Sequence, residues 1–244
     1  IGLRTATQSV TARRLGQNKL LECGTSLRNA QIMCLIIMLP ISFFGLFFSD
    51  YIVPFYIKDP NVIPLCTTYL SIVSLSIYFS VSAFVFQGFY AGIEKTRVLM
   101  YVTILSNLLN VYLNAGLIYG SEYIYTFFNS YGLSWISNLW SIYNFPALGV
   151  KGAAIATLLS SILMMLIYVL YLFNKEIRKT YHIFILNLDF KMMKRQFAIG
   201  YPQSISEVFL NSAFIILPKL LFFITLIISL YIFLFNKIKI PLIH

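Results

Sequence analysis

The residue of this chain best placed to do chemistry is Glu207, a carboxylate inside the otherwise uncharged run IGYPQSISEVFLNSAFII. A carboxyl at the centre of a membrane helix costs about 2.5–3.5 kcal/mol on insertion scales, so its presence there asks for a proton or a cation. Pro202, five residues earlier, removes a backbone hydrogen bond and can bend the helix, leaving carbonyls for an ion or for water. The alternative is a structural hydrogen bond from Glu207 to a neighbouring helix. A second constellation is NLLNVYLNAGLIYG, where Asn107, Asn110 and Asn114 fall on one helical face at three- and four-residue spacing. Their amides either line an aqueous cavity or tie helices together at about 1 kcal/mol per bond. Cys23, Cys34 and Cys66 have no metal-ligand spacing, and His182 and His244 are isolated. No phosphate loop GxxxxGK[ST], HExxH or GxSxG elbow occurs, so the residues point to binding rather than bond-breaking, and no enzyme activity is expected.

The elements that must hold these residues are membrane helices. The chain is 59% hydrophobic and 11% charged, against about 25% charged in soluble domains, with a mean hydropathy of +0.81. Leu148 to Phe173 is uncharged after Lys151 and long enough to cross a ~30 Å hydrocarbon core at about 1.5 Å per residue. Gly149, Ala153, Ala156 and Ser160 form a small-residue stripe where a second helix can approach, opposite Leu158, Ile162, Met165 and Leu166. Further spans are expected at Ile32 to Phe48, Val62 to Ile93 (its start in a loop or the interface), Val98 to Tyr119 and Phe197 to Leu217, with a marginal one at Leu220 to Phe235. Residues 1 to 12 read as the tail of a helix closed by Arg13 and Arg14. Tyr123 to Phe145, rich in aromatics, reads as an interfacial loop. Gly88 and Gly92 form a GxxxG suited to close packing, Pro40 kinks its helix, and Gln87, near the interface, is assigned no role.

The net charge of +10 does not indicate nucleic acid, because the basic residues sit in short loops between apolar runs. If Arg13 to Arg28 is cytoplasmic and sides alternate, the loops at 13–28, 95–97 and 175–195 hold twelve Lys and Arg, against only Lys58 and Lys151 opposite. A reporter fused after Ser49 is therefore expected outside and one after Lys179 inside; both on one side would refute the span count.

In this order TATQSVTARRLGQNKLLECG, GIEKTRV, NLLNVYLNAGLIYG, NFPALGVKGAAIATLLSS and IGYPQSISE resemble the multidrug and toxic compound extrusion (MATE) family over roughly residues 1 to 219. The resemblance implies an all-α polytopic transmembrane helix bundle: two six-helix lobes around a cavity, exporting small organic cations in exchange for sodium ions or protons, with no cofactor. By order, residues 1–173 are most of the first lobe, from the end of helix 2 to helix 6. Residues 174–195 are a cytoplasmic connector and 196–219 are helix 7. The resemblance implies a multi-pass protein of the plasma membrane whose partners are the lipid bilayer and small organic cations. Glu207 matches the acidic position after a proline in helix 7, and Asn110 an asparagine of helix 5 near the first-lobe cation site. Asn114 stands where many prokaryotic members have aspartate, which puts proton coupling through the first lobe in doubt. The aromatic loop from Ser121 to Phe145 is longer than the family's usual one.

Residues 220–244 depart from the family, using little beyond Leu, Ile, Phe and Lys, as out-of-frame translation of an AT-rich gene would. With Ile1 at its start in place of Met, the chain reads as an N-terminal-half fragment, expected to transport nothing alone. Two other readings stand beside this one: a non-transporting remnant, and a lipid-linked oligosaccharide flippase of the same superfamily. The flippase would want basic residues in the cavity, and no expected span carries a mid-helix Lys or Arg.

Overall fold

The computed structural model describes residues 1–141, 143–185 and 188–239; beyond residue 200 side chains are described to 217 except at 215, and again at 224–225. The elements are α1 (Gly2–Gly16), α2 (Leu20–Tyr56), α3 (Ile63–Gly92), α4 (Thr96–Tyr119), α5 (Ser121–Ser130), α6 (Ser134–Ser141), α7 (Val150–Leu172), α8 (Lys175–Tyr181) and α9 (Phe190–Lys239). The fold is all-helical, as expected, and α2, α3, α4 and α7 are each long and apolar enough to cross a bilayer. The chain divides into a unit Ile1–Gly200 and a unit Tyr201–His244.

In the first unit α3 is the central helix, packed against α1, α2 and α7, while α4 lies on α7. Small residues make these approaches possible. A side chain at Gly88 would meet the Arg4 carbonyl of α1 and one at Gly92 the Thr11 side chain, so the GxxxG serves close packing as its spacing suggests. On α7 the backbone approach falls on Gly152, whose missing Cβ leaves room for the Leu117 carbonyl of α4. Ala156 and Ser160 are buried as the stripe predicts. Gly149 is not part of that stripe: it precedes the helix at φ +55°, a left-handed conformation that favours glycine. Tyr90 and Tyr168 stack at 5.6 Å, and the Tyr90 hydroxyl donates to the Tyr168 carbonyl at 2.9 Å, which locks α3 to α7.

Two helix ends explain the tight turns of one face. At the end of α1 the Lys19 amide donates to the Arg14 carbonyl (2.9 Å), with Asn18 at φ 57°. At the end of α3 the Lys95 amide donates to the Tyr90 carbonyl (2.9 Å), with Glu94 at φ 62°. Both are six-to-one closures around a left-handed residue, a helix stop that more often uses glycine.

The loops grouped on one side by charge meet at one end of this unit. The Arg28 guanidinium donates to the carbonyls of His182 (2.8 Å) and Ile183 (3.0 Å), and the Asn29 amide donates to the Asp189 carbonyl (2.9 Å). Gln196 of α9 donates to the Ser26 carbonyl and hydroxyl, both at 2.9 Å. These bonds explain why α2 begins at Leu20 rather than near Ile32: its polar first turns have partners in the connector. Lys95 pairs with Glu176 of α8 at 3.1 Å, and that hydrogen bond raises the Lys95 pKa above its ordinary value of about 10.4. A raised lysine pKa means that the pair's contribution is complete below the ordinary value and is lost as pH rises through the folded value. Unfolding midpoints of the parent and of Lys95→Gln are therefore expected to differ slightly at neutral pH and to converge in strong alkali.

The segment after α4, expected as an interfacial loop, is helical over much of its length. Gly120, at φ +81°, turns the chain into α5 and α6, which fold back on α4. There Trp140 stacks on Tyr112 at 5.3 Å and donates its indole N–H to the Tyr112 carbonyl at 2.9 Å. In the second unit α9 continues helically through Pro202 and from the expected helix 7 into the tail, with no break at residue 219.

Candidate functional site

Helix α4 presents Asn110 and Asn114 one turn apart, each half-buried, toward α7. The Asn114 amide donates to the Asn110 carbonyl oxygen (2.8 Å), the Asn110 amide to the Ser160 hydroxyl (3.3 Å), and Ser160 to the Ala156 carbonyl (2.7 Å). The small residues of α7 bring this relay about, because Gly152 and Ala156 let the two backbones close until an asparagine reaches a serine. The bonds of Asn110 and Asn114 tie α4 to α7, while the expectation of a cavity-lining amide falls on Asn107. If the tie is all they provide, Asn110→Ala is expected to cost about 0.6 kcal/mol in thermal unfolding.

Asn107 does not join this relay. It lines a cleft of about 700 Å³ with Arg4 of α1, Gln87 and Phe84 of α3, Thr103 of α4 and Met164 of α7. That volume is in the range of small-molecule sites, about 300–1,000 Å³. Gln87, only 6% exposed, belongs to the cleft, as its expected interfacial position did not suggest. Arg4 also escapes the sequence reading, since α1 reads there as the end of a truncated helix. Arg4 lies about 14 Å along α1 from Arg13, at 1.5 Å per residue, and no carboxylate among the described residues is within ion-pair distance. Behind the cleft the buried Tyr168 hydroxyl neighbours Thr103 and Gln87 without a hydrogen bond of good geometry to either.

In the second unit, Glu207 is half-buried in α9. Its carboxylate accepts from the Gln203 amide at 3.4 Å, and its backbone carbonyl accepts from the Asn211 amide at 2.8 Å. Pro202 lies in the same helix five residues before it and has no amide hydrogen to give the preceding turn. Among the described residues Glu207 has no basic partner within ion-pair distance.

Comparison with known proteins follows the same lines. The MatE family model matches residues 1–115. A probable multidrug resistance protein NorM of Bacillus cereus is 26% identical over 183 residues, covering 75% of this chain and 36% of the relative. The protein of that name from Agrobacterium fabrum is 24% identical over 210 residues, covering 84% of this chain and 40% of its own length. Among solved structures, an inward-facing multidrug resistance MATE family transporter of the MOP superfamily is similar, with a TM-score of 0.64. It is 22% identical, a likeness of fold, over 84% of this chain and 41% of that one. The chain thus spans well under half the length of the relatives it matches.

Proposed function

On the premise that this is a MATE-family chain, we propose that the whole protein is a secondary transporter of the plasma membrane that exports small amphipathic organic cations by alternating access. The observation that carries the reading is Glu207, a carboxylate in an apolar helix held by a glutamine amide and paired with no basic residue among the described ones. Such a group can hold a sodium ion or a proton in one state and an organic cation in the other, so that each releases its competitor. Asn110 and Asn114 would supply neutral oxygen ligands for the coupling ion in the first lobe, where a sodium ion is favoured because Asn114 is not an acid. The driving force would be the ion gradient plus a membrane potential worth about 2.3 kcal/mol per charge per 100 mV. Export of a fluorescent organic cation from cells carrying the full-length protein tests this, with sodium and proton gradients imposed in turn. Acceleration by either gradient is expected, and absence of export under both would refute it.

Arg4 favours a second reading, the lipid-linked oligosaccharide flippase. A guanidinium in a cleft at membrane depth suits a pyrophosphate better than a cation. Binding of a lipid-linked pyrophosphate that is lost in Arg4→Gln, with no cation export, would decide for it.

A further inference from the structure

We propose that the rim of the bundle where α1 ends and α9 begins holds the headgroup of an anionic phospholipid. Arg13, Arg14 and Arg195 line a hollow of about 290 Å³ with Ser9 and an apolar side formed by Val10, Ala198 and Ile199. All of these residues lie in the first unit. Arg14 is already committed, to Glu22 at 2.9 Å and to the Gln17 side-chain oxygen at 3.0 Å. Arg13 and Arg195 are not: both are exposed, and no carboxylate among the described residues lies within ion-pair distance of either. Two guanidinium groups facing one hollow match a phosphate diester, which each can grip with paired N–H donors.

The apolar side selects among phosphates. A soluble phosphate ester would leave the exposed Ala198 and half-buried Ile199 wet, whereas a lipid covers them with its glycerol and the first carbons of its chains. The depth is also that of headgroups: Arg13 lies in the last turn of α1, at the face where the basic loops gather, and basic hollows between helices on that side hold anionic lipids. At about 290 Å³ the space fits a headgroup and not a whole lipid, whose chains would run down the apolar flank. The inference depends on neither the transport reading nor the flippase reading.

The test uses the intact protein in detergent with phosphatidylglycerol, phosphatidylcholine, or glycerol phosphate as probe, reading lipid retention by native mass spectrometry and the shift in unfolding temperature. Phosphatidylglycerol alone is expected to be retained and to stabilise. Arg13→Gln with Arg195→Gln is expected to weaken retention about thirtyfold, while Lys58→Gln, at the opposite end, leaves it unchanged. Equal retention of the two lipids, or undiminished retention in the double variant, overturns the proposal. So does equal stabilisation by glycerol phosphate, since a soluble ester would then be the ligand. If the double variant does not fold, competition among the three probes on the unaltered protein still decides.

Discussion

Substitution of Gly152 by valine is expected to destabilise the first unit by about 3 kcal/mol and to lower the amount of protein in membranes several-fold. The reason is backbone contact: a Cβ at this position would overlap the carbonyl oxygen and carbon of Leu117, atoms that have no rotamer to change. Relief requires α4 and α7 to move apart, which would also break the bond from Asn110 to Ser160, already long at 3.3 Å. Gly16→Ala is the control, because nothing lies within 4 Å of the place its methyl group would take, and it should stay within about 0.5 kcal/mol. Thermal unfolding of the purified protein compares the two. An unchanged midpoint for the valine variant would mean that α4 and α7 do not meet there.

The second large effect is on transport. Glu207→Gln keeps the size of the side chain and its capacity to accept from Gln203, but removes the charge. A hydrogen bond to a charged group contributes about 1.5–3 kcal/mol against about 0.5–1.5 for a neutral one, so a loss of roughly 1–2 kcal/mol should slow export by the full-length protein about fivefold to thirtyfold, with normal accumulation. Glu207→Asp, which shortens the reach and keeps the charge, should recover part of the rate. Equal rates for the parent and the glutamine variant would refute the coupling role proposed for Glu207.

The spans were legible because long uncharged runs report bilayer thickness directly: Val98 to Tyr119 against the observed Thr96–Tyr119, and Leu148 to Phe173 against Val150–Leu172. What composition hid was every place where polar residues find partners far along the chain. Glu22, Arg28 and Asn29 looked like a loop, yet they form the first turns of α2 because Arg14, His182 and Asp189 answer them. The aromatic segment reads as a loop in sequence because the stacking of Trp140 on Tyr112 is a tertiary event. Helical spacing put three asparagines on one face, which is right for Asn110 and Asn114. It could not foresee that Asn107 looks into a cleft whose other walls come from α1, α3 and α7. Arg4 was missed for a different reason, since a short helix at the start of a chain carries too little pattern to register depth.

The bonds from Arg28 to the carbonyls of His182 and Ile183 join residues 154 and 155 positions apart. During synthesis at roughly 5–20 residues per second, α2 must therefore wait about 8–30 s before those acceptors leave the ribosome. For that interval the foot of α2 stays hydrated at the membrane surface while α3, α4 and α7 are inserted. Chain growth itself then sets this part of the order of assembly, with the polar clasp closing over helices already in place.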